Sequence, residues 1–245
     1  MEERSCGSLM EVNFMEVEYN NILASSLGIY AKTLPAIPAA VKKESSVEIP
    51  GTDGTMFLLE GGYETSEIKV DFNFIGDADQ WDERFALAKK WLSARGKFLR
   101  LGSDPRYCYK ILKVTVDDAE HTSERIGNFK ATFLTKDGLR YLCEGLYEQR
   151  AEDIGYHAGE ESHPVYKILG EGVCTLTVNG KTMTANVGQN LTIDTDRQLA
   201  YRSDGTLNNT EVTGSYEDLV LVEGDNKVTI TDGFDLKVIP YWRYL

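Results

Sequence analysis

The residue pattern of this chain predicts a mainly β protein in two parts. Apolar and polar residues alternate with a period of two along most of its length, the spacing of strands with one buried face. A single stretch switches to helical spacing. Turn dipeptides such as Asn-Gly and Asp-Gly punctuate the remainder.

In "FMEVEYN", Met15, Val17 and Tyr19 fall on one side and Glu16 and Glu18 on the other. Residues 47–64, "VEIPGTDGTMFLLEGGYE", hold four glycines, a proline and an Asp-Gly pair between apolar-rich segments. Pro50 presets φ for a turn and Gly51 supplies the positive φ that a type II turn needs next. Asp53-Gly54 offers a second reversal, and "TMFLL" then runs strand-like to Gly61-Gly62. "GTDG" also fits a GxxG pattern. An RNA-binding loop of that kind lies between helices and carries basic residues, and a phosphate loop opens a helix N-terminus. Here strand-like segments flank the pattern and Asp53 occupies it, so the stretch reads as a turn.

Ile68, Val70, Phe72 and Phe74 alternate with Lys69, Asp71 and Asn73 to give the clearest half-buried strand. "RYCYKILKVTV" is a long aromatic and β-branched run, and "NFKATFL" puts Phe129, Ala131 and Phe133 on one face. Between them lies the helix, "DADQWDERFALAKKWLSARG", with Trp81, Phe85, Ala88 and Leu92 on one stripe. Asp77 or Asp79 is the expected N-cap, Lys89, Lys90 and Arg95 suit the C-terminal end of the dipole, and Gly96 is the expected stop. This stripe reads as a helix packed on a sheet.

From about residue 144 to 163 the pattern fades into an acidic, glycine-containing stretch that closes on Pro164, read as the connection between the parts. The second part is all β. "CTLTVNGKTMTANV" is a hairpin with a type I′ turn at Asn179-Gly180, and "NLTID", "QLAYR", "DLVLV", "KVTIT" and "FDLKVIPYW" read as further short strands of a β-sandwich. The expected divisions are 1–145, a linker at 146–165, and 166–245.

Composition narrows the function. The 245 residues carry a net charge of −13, with −5 in residues 1–145 and −8 in 146–245. Neither part offers the basic stripe that displaces counterions from nucleic acid. No run of about 18 apolar residues occurs, so no membrane span is expected. "MEERSCGSLMEVNF" lacks the apolar segment of a secretion signal, and "MEERSCGS" reads as a polar extension. Cys6, Cys108, Cys143 and Cys174 are scattered without metal-ligand spacing, so reduced thiols are expected.

The motifs that come nearest to carrying chemistry are each incomplete. "VNGKT" resembles the end of a P-loop, but Thr175 stands where the first glycine belongs and the run lies in a hairpin. Asp194 and Asp196 suggest a calcium loop, yet Leu199 and Gly205 occupy its glycine and bidentate-acid positions; a turn rich in aspartate is the plainer reading. His121, His157 and His163 lie in polar segments, and no nucleophile motif surrounds Cys143. No catalytic residue, metal or cofactor is expected. Tyr241, Trp242 and Tyr244 have two readings: a sugar-stacking platform, or aromatics that fill the sandwich and close its last strand.

An ordered set of motifs carries a resemblance. Tyr19-Asn20 and Ser25-Ser26-Leu27-Gly28-Ile29 come first, then "IPGTDG" at 49–54, Gly61-Gly62-Tyr63 and the strand 68–74. Trp91-Leu92 ends the helix, and Gly127, Phe129 and Phe133 follow. Ser162, Pro164, Ile168, Gly170, Gly172, Asn179-Gly180, the "IDT" at 193–195, Gly224 and Asn226 complete the series. In this order the chain resembles the distal tail (Dit) proteins of long-tailed, non-contractile bacteriophages. It departs from many relatives after Phe133, where "LTKDGLRYL" replaces a Cys and a Pro-aromatic pair.

The resemblance implies a β-barrel-like N-terminal domain with one helix and a galectin-like C-terminal sandwich. It further implies a homo-oligomer, a hexameric hub ring that joins the tail tube to tail-tip or baseplate proteins and leaves a channel for DNA. Such a protein resides in the virion and is assembled in the bacterial host cytoplasm, and it binds neither specific nucleic acid nor membrane. In such a ring Pro50, Gly51, Asp53, Gly54, Met56 and Leu58 are the candidate subunit interface, with Met56 or Leu58 covered by another chain rather than by the domain's own core. The alternative is a lectin-like module for host cell-wall glycans, resting on Tyr241, Trp242 and Tyr244. The short loops of the second part leave no room for a large insert.

Overall fold

The computed structural model describes residues 15–48, 50–51, 53–77 and 79–245. The expected polar extension, Cys6 and Ile49 of the turn motif lie outside the described residues. The chain divides into two compact units, one ending at Arg140 and the other beginning at Tyr141. It is mainly β, with curled sheets and, among the described residues, one α-helix.

The first unit comprises β1 (Val17–Tyr19), β2 (Ile22–Leu23), β3 (Ile29–Ala31), β4 (Lys42–Val47), β5 (Met56–Tyr63), β6 (Glu67–Ile75), α1 (Trp81–Leu92), β7 (Phe98–Leu101), β8 (Tyr107–Val116), β9 (Glu120–Ser123) and β10 (Ile126–Thr135). Its antiparallel strands run in the order β2-β1-β7-β8-β10-β6-β3, with β9 on β10 and with β4 paired to β5 in a separate ribbon. The alternation read in residues 68–74 is realised: Ile68, Val70, Phe72 and Phe74 are fully buried. They lie in register with Phe133, Ala131, Phe129 and Gly127 of β10. Val17 and Tyr19 face the same core.

The helix covers this apolar face. Trp81, Ala88, Trp91 and Leu92 are buried, and Phe85 packs partly buried beside them. Trp91 meets Phe72 at 5.9 Å and Trp81 meets Phe74 at 5.4 Å, both edge-on. The Trp91 indole donates to the Tyr19 carbonyl at 2.9 Å, and the Tyr19 hydroxyl donates to the Ala94 carbonyl. Each large ring removed from water contributes roughly 1.5–3 kcal/mol. The helix ends differ from the sequence reading. Gln80, not Asp77 or Asp79, is the N-cap, and its side chain makes no capping bond. Ser93, not Gly96, ends the helix, because its hydroxyl donates to the Lys90 carbonyl at 2.7 Å and its N–H points to the same oxygen.

In the second unit β11 (Arg140–Leu142) begins at the division. It is followed by β12 (Gln149–Arg150), β13 (Tyr156–His157), β14 (Val165–Val178), β15 (Lys181–Asp194), β16 (Leu199–Tyr201), β17 (Val212–Thr213), β18 (Gly224–Asp225), β19 (Val228–Ile230), β20 (Asp235–Ile239) and β21 (Arg243–Tyr244). The spine is the β14–β15 hairpin, 14 residues on each side, in unbroken register from Val165–Asp194 to Val178–Lys181. Asn179 at φ 49° and Gly180 at φ 82° give the expected type I′ turn. β20 and β19 line β14, β16 and β17 line β15, and β12 extends β20. Tyr166, Ile168, Leu176, Val178, Met183, Leu191 and Ile193 form the buried heart.

Two short strands expected here take other forms. "NLTID" is not separate but the last part of β15. In "DLVLV" a 3-10 turn, Tyr216–Leu219, buries Leu219, and Leu221 makes only an isolated bridge with Ser162. Residues 146–165, expected as the connection, are folded into the second unit. Gln149 pairs with Val238, and Ile154, His157 and Ser162 are buried.

Candidate functional site

Among the described residues the β4–β5 ribbon has no strand partner other than itself, and none of residues 56–62 is buried. Its base is anchored. Tyr63 is buried and lies in register with Lys42, whose Nζ sits 5.7 Å from the phenol ring. The register then shifts, so that Glu60, Gly61 and Gly62 bulge opposite Lys43. Gly61 at φ 78° and Gly62 at φ 75° make that bulge a glycine requirement. Beyond it, Glu44, Ser45, Ser46 and Val47 pair with Leu59, Leu58, Phe57 and Met56. The tip turns through Pro50, Gly51 (φ 88°), Asp53 and Gly54 (φ 89°), all exposed.

Directly opposite residues share a face, so Val47, Met56 and Leu58 lie on one side of the ribbon and Phe57 and Leu59 on the other. All five are exposed; Phe57 at 67% and Leu59 at 70% are the most so. The domain's own core therefore does not cover Met56 or Leu58. A two-stranded ribbon alone is marginally stable in water. Here β5 exposes apolar side chains on both faces of such a ribbon. Phe57 and Leu59 were not among the residues singled out from the sequence. The signal for them is the unbroken run "MFLL", which cannot alternate and so must place apolar groups on both faces.

The three C-terminal aromatics do not form one open platform. Trp242 is buried in the core of the second unit, against Gly145, where a side-chain carbon would fall 2.8 Å from its Cδ1. Its indole stacks on the His157 imidazole at 4.4 Å, and Tyr244 meets the same imidazole edge-on at 5.2 Å. Tyr241 adopts φ 50° and donates its N–H to the Gly145 carbonyl at 2.9 Å. Burial pushes its phenol pKa up, with the nearby Asp194 charge adding to the effect. Trp242 thus closes the core, and the platform reading loses its central ring.

The remaining motif residues hold backbone in place. Asp194 Oδ1 accepts the Arg197 N–H at 2.9 Å, the turn expected of it, and the Thr195 hydroxyl donates to the Pro164 carbonyl at 2.7 Å. Asn226 is buried; its Oδ1 accepts from the Val222 N–H and the Asn179 amide, both at 2.9 Å, and its amide donates to the Val222 and Gly224 carbonyls. Gly170 makes room for the Phe234 ring, whose Cδ1 would lie 2.4 Å from an added side-chain carbon. His121 stacks on Trp81 at 3.6 Å, and His163 lies 3.8 Å from Glu161. Cys108 and Cys174 are buried thiols, and burial pushes that of Cys174 up. Among the described residues no group of three His, Cys, Asp or Glu side chains could hold a metal ion, and no helix is long and apolar enough to cross a membrane.

No protein-family model and no curated protein matches the chain. Among solved structures, the crystal structure of the SPP1 Dit (gp 19.1) protein is similar, with a TM-score of 0.61 and 12% identity over 94% of this chain and 99% of that one. That protein is described as a paradigm of the hub adsorption apparatus in phages that infect Gram-positive bacteria. At this identity the likeness is one of fold.

Proposed function

We propose that this chain is a structural component of a phage tail hub. The observation that carries the reading is the fold likeness to a hub adsorption protein, which runs through nearly the whole of both chains. The chain is a subunit of a homo-oligomeric ring, six copies in the family it resembles, seated between the tail tube and the tail-tip or baseplate proteins of the virion. Its contacts with neighbouring copies run through the ribbon: Pro50, Gly51, Asp53 and Gly54 shape the tip, and Met56 and Leu58, joined by Phe57 and Leu59, supply the apolar surface. Such a role needs complementary surfaces rather than a reacting group. The net charge of −13 suits a passage that lets DNA through without holding it. An image of the purified protein by negative-stain electron microscopy tests this. Rings with a central opening are expected; a field of single separate chains overturns the ring.

A further inference from the structure

His157 is 2% exposed and lies at the junction of three backbone segments. Its Nε2 is 3.0 Å from the Glu160 carbonyl, which only accepts, so that nitrogen carries the proton. The Ser162 hydroxyl stands 3.5 Å from the same nitrogen. Gly159 lets the chain fold around the ring, since a side-chain carbon there would come within 2.7 Å of His157 Cε1 and 2.0 Å of the Arg243 carbonyl oxygen. Trp242 and Tyr244 enclose the imidazole from the C-terminal run.

The same place fastens the last strand. Glu160 N–H donates to the Arg243 carbonyl at 2.8 Å, and Arg243 N–H donates to the Ser162 hydroxyl at 3.1 Å. The Arg243 guanidinium donates to the Glu161 carbonyl through Nε at 2.6 Å and through Nη2. On its other side the C-terminal run is tied to the start of the unit, Leu142 N–H to the Trp242 carbonyl and Tyr241 N–H to the Gly145 carbonyl. β21 is thus held between residues 142–145 and residues 157–162, with the neutral imidazole at the centre.

We propose that His157 is the pin of a pH-sensitive latch: neutral, it locks β21 against residues 157–162, and protonated, it loosens that contact while the β14–β15 core stays folded. Burial lowers the His157 pKa, Arg243 on β21 lowers it further, and the Glu160 carbonyl and the Glu223 charge ahead of β18 oppose the shift. The unfolded or opened segment therefore binds a proton at a pH where the closed one does not. The stabilisation is complete above the ordinary value of 6.5 and is lost as pH falls from there through the lowered value. The latch does not depend on the tail role.

Amide hydrogen exchange on the full chain, at about pH 7.5 and about pH 5 with intrinsic rates divided out, tests it. Protection at Glu160, Ser162 and Arg243 is expected to fall by on the order of tenfold for each unit by which the pKa is lowered, with β14 unchanged. His157→Gln keeps an amide donor for the Glu160 carbonyl and does not titrate, so its protection at these sites should be flat with pH. An NMR titration of the unsubstituted protein gives an independent reading, in which His157 should titrate below the ordinary imidazole value of 6.5. Unchanged protection in the unsubstituted protein, an equal fall in His157→Gln, or titration of His157 at or above its ordinary value would overturn the latch.

Discussion

Val47 and Met56 stand directly opposite one another across the β4–β5 ribbon, and both face solvent. Leu58 continues that face and Phe57 and Leu59 occupy the reverse. Fully burying such a side chain is worth roughly 1.5–3 kcal/mol, a gain that the separate chain does not collect. Replacing Met56, Phe57 and Leu59 together by Ser should therefore change the unfolding free energy of the isolated chain little, within about 0.5 kcal/mol for each site in a denaturant titration. The same triple variant should lose assembly, read as a fall in particle mass. A fold that collapses instead would mean that the ribbon is part of the core.

Gly127 faces Phe74 in the β10–β6 register, and the Phe74 ring lies over it. A side-chain carbon at Gly127 would come within 2.2 Å of Phe74 Cζ, and that ring is itself held against Trp81. Gly127→Ala should destabilise the first unit by about 1–3 kcal/mol, measured by urea unfolding followed at the tryptophans.

Asn226 joins Val222, Gly224 and Asn179 through one side chain. Asn226→Ala leaves the Val222 and Gly224 backbone groups and the Asn179 amide without those bonds. A loss of about 1–3 kcal/mol is expected, with increased exchange at the Val222 amide. Asn226→Asp keeps the acceptor and removes the donor, so the Val222 N–H should stay protected while stability still falls.

Two phenols give the chain an alkaline signature. Burial raises Tyr19 from 10.0 to about 12, and raises Tyr166, which donates to the Leu219 carbonyl at 2.8 Å, further still. The unfolded chain loses these protons first. Their contribution to stability is complete below about pH 10 and is lost as pH rises towards and beyond the folded values. The denaturation midpoint should fall over that range, and Tyr19→Phe should flatten part of the fall.

Period-two alternation made β6 and β10 legible, because each buries one face and only one. The β14–β15 turn was legible for a backbone reason, since Asn179-Gly180 meets the two positive φ values of a type I′ turn. The ribbon was half legible. Pro50, Gly51 and Gly54 announce its turn, but "MFLL" is apolar on both faces, and a run without alternation does not say whether it lies in a core or stands in solvent. Trp242 shows the converse. An aromatic near the end of a chain fits a platform or a core equally well, and Gly145 and His157, which decide for the core, are distant in sequence. The helix ends were misread because Ser93 and Gln80 act through local backbone geometry that Asp79 and Gly96 fit equally well on paper. "DLVLV" looked like a strand because Leu219 and Leu221 alternate, yet it buries both from a 3-10 turn and a single bridge.

The mass of the assembled protein in solution tests the central claim most directly. Light scattering at high protein concentration and moderate salt should give a closed multiple of the 27.4 kDa chain, six copies in the ring proposed here, and the Met56, Phe57 and Leu59 triple variant should reduce it towards one. A mass of one chain at every concentration, identical in the variant, would contradict a ring-forming hub subunit.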